Sequence, residues 1–269
     1  MAVRALRQHS PQRERWLKPT LRLGILALFL GVWQLLGNDE IRLAMPTFTR
    51  TMAALGDLLA DGFGEGTLLE GMLITNQALV GGYLAALVVS LPLGILMGSS
   101  RAVAKVASPY LTILLAVPMI ALVPIVQLVF GLTLAGRVVV VFLFAFIYMT
   151  INTMIGVREA SPELKEMARS FGATRGQMLR RVILPGAVPA IMAGVRLGLG
   201  RAIIGMIIAE LSLIGAGIGS LILEFQVRFQ PAYVFAIVML AVLEGVLLME
   251  IARRIEVRFA RWKGVQGVE

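Results

Sequence analysis

A chain of 269 residues that is 58% hydrophobic and only 15% charged does not match a soluble domain, in which roughly 25% of residues are charged. Its mean hydropathy of +0.85 makes the bilayer its solvent. With no cysteine and a single histidine, His9, it has no disulfide, no thiol catalysis, no Cys-based metal site and no His cluster for zinc.

Residues 1–22 form a polar, basic tail with Arg4, Arg7, Arg13, Arg15, Lys18 and Arg22. The apolar run that follows ends Leu35-Leu36-Gly37-Asn38 without a small-x-small cleavage site. It therefore reads as a retained first span over about 21–37 rather than a signal peptide. Residues 38–72 are acidic and read as an external segment, with a short amphipathic helix over Thr51–Leu59 and a flexible link at Gly62, Gly64 and Gly66. The second span covers about 73–97, where Pro92 is expected to kink it. Ser99 to Ser108 reads as a loop carrying Arg101 and Lys105. The third span, about 109–130, contains Pro118 and Pro124 and is expected to be bent or broken. Broken helices are tolerated at membrane depth where they face protein or a cavity. Gly131 to Arg137 reads as an external turn, and the fourth span covers about 138–155.

The stretch after it, 156–187, is the most informative. In Ser161–Pro185, SPELKEMARSFGATRGQMLRRVILP, Ser161 suits a helix N-cap, Pro162 the first helical position and Glu163 the first turn. Leu164, Met167, Ala168 and Phe171 fall on one face at helical spacing, with Glu163, Lys165, Glu166 and Arg169 on the other. Gly172 can end this helix in the left-handed conformation. Thr174 to Val182 reads as a second short helix stopped by Pro185. Beyond it lie a glycine-rich fifth span at about 188–208 and an external segment over Ser212–Pro231 with Gly215, Gly217 and Gly219. Glycine favours close helix packing in membranes. A sixth span over about 232–251 and a basic tail over 253–269 complete the chain. Residues 23–252 thus form one transmembrane unit.

The spacing Glu166-Met167-Ala168, three residues, Gly172, nine residues, Val182, one residue, Leu184-Pro185 resembles the EAA loop of ABC-importer permeases. Met167 stands where that loop usually has Ala, and Val182 where it has Ile. The resemblance runs from about residue 43 to 261 and is greatest to the subgroup importing nitrate, sulfonates and taurine. It implies an all-α, six-span fold of the MetI-like permease type. The chain would be one subunit of an ATP-driven importer in the bacterial inner membrane. Its implied partners are two copies of a separate ATPase, a second permease copy, an extracytoplasmic solute-binding protein and the lipid bilayer. The implied coupling residues are Glu163, Leu164, Glu166, Met167, Ala168, Phe171, Gly172, Ala173, Leu184 and Pro185. The first short helix would seat in a groove of the ATPase, and a bulky residue at Ala168 would prop it out. The chain has no Gly-Lys pair and hence no Walker A loop. No cofactor is expected in this chain, and the resemblance leaves ATP and Mg to the partner ATPase. No catalytic cluster is visible.

Lysines and arginines set the expected orientation. Only Arg42, Arg50, Arg137 and Arg228 fall on the side opposite the tails, and Arg196 and Arg201 lie at or inside the fifth span. The rest put both termini and the EAA-like loop in the cytoplasm. This explains the net charge of +9 without nucleic acid. Ionisable residues within spans are costly and mark function. Arg201 and Glu244 both lie near mid-membrane, where they can form an ion pair, or Arg201 can belong to the path of an anionic substrate. Glu210 is expected to be solvated at the external interface. A secondary transporter or channel working without an ATPase is the alternative function, and it leaves the EAA-like spacing unexplained.

Overall fold

The computed structural model describes residues 11–37, 45–62, 66–212 and 216–260, and every regular element among them is helical. The expectations for the first ten residues, Arg42, Gly64, Gly215 and the chain from 261 onward lie outside the described residues.

Helix α1 (Pro11–Leu36) begins within the stretch read as a tail. Its apolar part, Thr20–Leu36, is short for a span. It is pinned at its end: the Trp33 indole N–H donates to the Pro46 carbonyl at 3.0 Å, and its ring meets Phe48 at 5.4 Å and Phe235 at 6.0 Å. Helix α2 (Phe48–Ala60) is capped by Thr47, whose hydroxyl accepts the Arg50 N–H. Helix α3 (Leu68–Ser99) continues through Pro92. Helix α4 starts at Arg101 (Arg101–Ala116) with Ser100 as its N-cap. The loop expected at 99–108 is therefore a single residue, because the Ser100 hydroxyl caps the next helix at once. Helix α5 (Met119–Phe130) is bent by 100° from α4. The break falls at Val117–Pro118, where Val117 is extended (ψ 128°), as a residue before proline must be. Pro124 does not break α5.

Helix α6 (Leu134–Arg158) places Arg137 in its first turn rather than in the external turn that the sequence suggested. Helices α7 (Pro162–Ser170), α8 (Arg175–Met178) and α9 (Leu184–Ser212) follow, and then α10 (Ile218–Val227) and α11 (Pro231–Ala260). The segment between the last two spans thus holds a helix. Four helical stretches among the described residues are long and apolar enough to cross a membrane, or five if α4 and α5 form one broken span.

The bundle is built around α6, packed between α3 and α9. On α3, Ala78, Gly82, Ala86, Ser90, Gly94 and Gly98 recur every fourth residue, forming one stripe of small side chains. The hydrophobic effect does not drive helix association in lipid, so close backbone approach and dispersion must do so. The approach is tight enough that a methyl on Gly94 would stand 2.8 Å from the Thr150 carbonyl oxygen. The Ser90 hydroxyl donates across the same seam to the Phe146 carbonyl at 3.1 Å. On the other side of α6, α9 offers Ala187, Gly194, Gly198, Ala202, Gly205 and Ala209, most of them fully enclosed. Leu79, Val141, Ala145, Met149 and Met206 fill the space between the three helices.

A branched residue in this seam must force the helices apart, at a cost of about 1–3 kcal/mol. Gly94→Val should lower the melting midpoint in detergent, whereas Gly24→Val, with nothing within 4 Å of the added carbon, should leave it unchanged.

Candidate functional site

Helix α7 forms where its cap chemistry dictates. The Ser161 hydroxyl accepts the Leu164 N–H at 3.3 Å and donates to the Glu163 carboxylate. That hydrogen bond, helped by the Glu163 backbone N–H, holds this carboxyl below its ordinary range. At the other end Gly172 has φ +73°. Its N–H reaches the Arg169 carbonyl at 2.9 Å, and the Ala173 N–H reaches Ala168 at 3.0 Å. Together these form a Schellman stop.

The apolar residues of α7 do not share one environment. Leu164, Met167 and Phe171 are exposed, Phe171 at 84%, while Ala168 is 9% exposed and turned into the protein. Ala168 therefore seats α7 on its own chain and leaves the other three as an outward apolar stripe. This revises the expectation that Ala168 faces an external groove. Glu163 and Glu166 are exposed, and Ala173, Leu184 and Pro185 are half-buried.

Pro185 does not end a short helix. The Leu184 N–H donates to the Leu179 carbonyl, five residues back, in a π-helical turn at Leu179–Ile183. This wider turn takes up the proline, which lacks an N–H and whose ring crowds the carbonyl four residues earlier. Residues Arg175–Ser212 consequently run as one helical rod of 38 residues, about 57 Å long at ~1.5 Å per residue. A hydrocarbon core of about 30 Å is spanned with length to spare at the α7 end.

At the opposite end sits a buried polar node that the sequence did not reveal. Glu210 is fully enclosed, not solvated. Its carboxylate accepts from the Thr75 hydroxyl at 2.7 Å and from the Gly219 N–H at 3.0 Å. Thr75 in turn accepts the Ile218 N–H at 3.0 Å. A carboxylate at the first turn of α10 matches the positive end of that helix, and the node joins α3, α9 and α10. A side chain at Gly217 or Gly219 would run into Glu210. The signal available in sequence was the carboxylate followed by Gly217 and Gly219, a pattern that leaves room for an inward acid.

The mid-membrane ion pair expected between Arg201 and Glu244 does not form. Arg201 is exposed, and its guanidinium carbon lies 4.3 Å from the centre of the Tyr148 ring on α6, within cation–π range. Glu244 is half-buried on α11, whose ion pair to α9 is made instead by Arg196 with Glu256. Arg137 is 8% exposed, and its Nη1 has no hydrogen-bond partner. Among the described residues no three acidic, His or Cys side chains cluster to hold a metal.

Removing the Glu210 carboxylate strands two buried donors, each worth about 1–3 kcal/mol. Glu210→Ala should lower the melting midpoint and expose the α9–α10 connection to protease. In a double-mutant cycle, Thr75→Val and Glu210→Gln should be strongly non-additive. Additive effects in the cycle would remove the node from the fold.

Comparison with known proteins agrees with this geometry. Residues 90–261 match the family model "Binding-protein-dependent transport system inner membrane component". The chain is 30% identical over 258 residues to the putative aliphatic sulfonates transport permease protein SsuC of Bacillus subtilis, covering 94% of this chain and 91% of that protein. It is 32% identical over 262 residues to the riboflavin transport system permease protein RibX of Chloroflexus aurantiacus, covering 96% and 95%. With the taurine transport system permease protein TauC of Escherichia coli it shares 28% over 264 residues, covering 95% and 96%. The fold matches a chain of the inward-facing MetNI methionine ABC transporter with a TM-score of 0.61 and 20% identity, over 71% of this chain and 95% of that one. The chain belongs to the binding-protein-dependent inner-membrane-component family, the MetI-like permease subunits of ABC transporters.

Proposed function

We propose that this chain is the membrane-spanning subunit of an importer that carries a small anionic solute of the sulfonate, taurine or nitrate kind into the cytoplasm by alternating access. A separate ATPase chain, present in two copies, binds ATP and Mg and drives it. A second permease copy completes a two-fold path, and an extracytoplasmic solute-binding protein delivers the cargo. Both termini and α7 lie in the cytoplasm, the side favoured by the Lys and Arg distribution.

One observation carries the coupling role. Three apolar side chains, Leu164 and Met167 on α7 and Phe171 at its C-cap, stand in the open on a helix outside the membrane-spanning stretches, joined through Gly172 to a rod that crosses the bilayer. Exposed anchors at helical spacing suit docking of a helix into a partner's groove. Movement of α7 by closing ATPases then acts at the end of a long lever. A secondary transporter or channel working alone has no use for such a stripe.

The anionic cargo is supported by Arg201. An exposed guanidinium about 17 Å from the Ser212 end of the rod cannot face lipid cheaply. It therefore faces a wet path or the partner copy. A riboflavin permease stands among the relatives, so the relatives' names do not set the cargo, and Arg201 carries that part of the reading.

Because Met167 and Phe171 are exposed, Met167→Asp with Phe171→Asp should insert and melt normally while co-purification of a P-loop ATPase falls roughly tenfold or more, about 1.4 kcal/mol of docking energy. Gly172→Val puts a β-branched residue at φ +73°, a cost of about 1–2 kcal/mol met by re-aiming α7. The reconstituted complex should then lose transport and substrate-stimulated ATP hydrolysis. Wild-type transport by normally inserted Gly172→Val protein would refute the coupling role. A reporter fused after Lys263 should read cytoplasmic, and one inserted near Gly64 external; the reverse at either site overturns the orientation.

A further inference from the structure

Beside the coupling helix lies a cavity of about 760 Å³ walled by α4, the last turn of α6 and α7. Five cations line it: Arg101 and Lys105 from the first turns of α4, Arg158 from the end of α6, and Lys165 and Arg169 from α7. Each pair on one helix is four residues apart and so shares a face. Among the described residues no carboxylate lines this cavity. The nearest acid on α7, Glu166, borders an adjoining cleft with Lys165 and Arg169.

The cations are not spent on one another's neighbours. Among the described residues Arg101, Lys105, Arg158 and Arg169 form no ion pair; at this end Glu250 is taken by Arg253 and Arg254 and Glu256 by Arg196, while Glu159, Glu163 and Glu166 are exposed and pair with none of the five cations. Lys165 is held at the wall by donating to the Arg158 carbonyl at 3.1 Å. Met97 and Val157, both about 1% exposed, give the cavity an apolar floor with Ile183, and Ser108 adds a hydroxyl at its side. A cationic rim over an apolar floor, where α3 and α6 leave the membrane, has the composition of sites for anionic headgroups.

We propose that this cavity is an oxyanion site. It takes a phosphate or sulfonate group, carried by an anionic lipid of the adjacent leaflet or by a soluble anion. Five like charges around one space repel, and a bound oxyanion relieves that repulsion while accepting charge-assisted hydrogen bonds. By joining Lys165 and Arg169 to Arg101 and Lys105, it ties the coupling helix to the broken α4–α5 span. The occupied cavity thus favours one setting of α7, making the ligand a regulator of coupling. That last role rests on the coupling function proposed above; the site itself does not.

The test is thermal melting of the full chain in neutral detergent at constant ionic strength. The probes are sodium sulfate against sodium chloride, and micelles doped with phosphatidylglycerol against phosphatidylcholine. The midpoint should rise by a few degrees with phosphatidylglycerol, sulfate or both. A rise with lipid alone assigns the headgroup, and a rise with sulfate assigns a soluble oxyanion. Arg101→Gln with Lys105→Gln should abolish the rise, and Arg253→Gln with Arg254→Gln, an equal loss of charge at the same end, should keep it. If the first pair does not fold, Arg169→Gln at an exposed position serves in its place. No rise with either probe, or equal rises in both double variants, overturns the proposal. So does a rise that disappears once the ATPase subunit is bound, since the cavity then belongs to protein docking. None of these readings uses transport, so failure of the cargo assignment and failure of the site are told apart.

Discussion

The close contact of α3 and α9 with the two sides of α6 is what the rest of the molecule hangs on. It is made by small residues on α3 and α9 that leave room for side chains of α6, with Val141 over Gly82, Met149 over Gly198 and Phe144 over Gly205. Where Gly94 meets the Thr150 carbonyl there is no room even for a methyl, and the neighbouring positions on α3 and α9 are Gly, Ala or Ser. In lipid, large apolar side chains gain nothing by preferring a partner helix to the acyl chains. Small ones allow backbone to approach backbone, and the contact becomes specific because only one register lets the surfaces mesh. This three-helix seam leaves one face of α9 open, and with it Arg201. It also carries α4 and α5 at the side, with a 100° break between them at which Ala116 and Pro118 are exposed.

The two ends of the seam are built differently. At the α2 end, Glu210, Thr75 and the first turn of α10 form a fully enclosed set of hydrogen bonds. Leu58, Leu68, Ile218, Leu221 and Ile237 pack around the same region. At the α7 end, the chain turns at a glycine of positive φ, and most of α7 is open to solvent. Under the coupling role proposed above, a push on α7 reaches the seam along a continuous helix. The π-helical turn before Pro185 keeps that helix unbroken where proline would otherwise interrupt it.

Charge follows the same division. At the α2 end the buried charges are few, and Glu210 is held by hydrogen bonds from Thr75 and Gly219. At the α7 end cations from three elements line one cavity that no described carboxylate lines, although Glu159, Glu163 and Glu166 lie exposed nearby in the chain. Such imbalance is stable where water, lipid headgroups or partner chains supply the missing negative charge, so it marks the end at which the molecule meets other components.

Much of this was legible in the chain itself. Composition and periodicity required a helical membrane protein, because no soluble core could absorb that apolar surface. Cap chemistry at Ser161 and Gly172 set the bounds of α7, since both act through the local backbone. The pair Val117-Pro118 carried its own break. What sequence could not decide was the outcome of competition between local and distant partners. Proline at 185 reads as a stop, yet a wider turn just before it lets the helix continue. Glu210 reads as an interfacial acid until α10 folds back and offers it backbone donors. Arg201 and Glu244 lie at matching depth, but Arg201 stacks on the Tyr148 ring of α6 and forms no ion pair with Glu244. Ala168 is part of an apolar stripe in sequence, and only the packing of α7 on the rest of the chain separates it from Met167 and Phe171. Depth and helical phase are properties of a segment; which neighbour a side chain meets is a property of the assembled bundle.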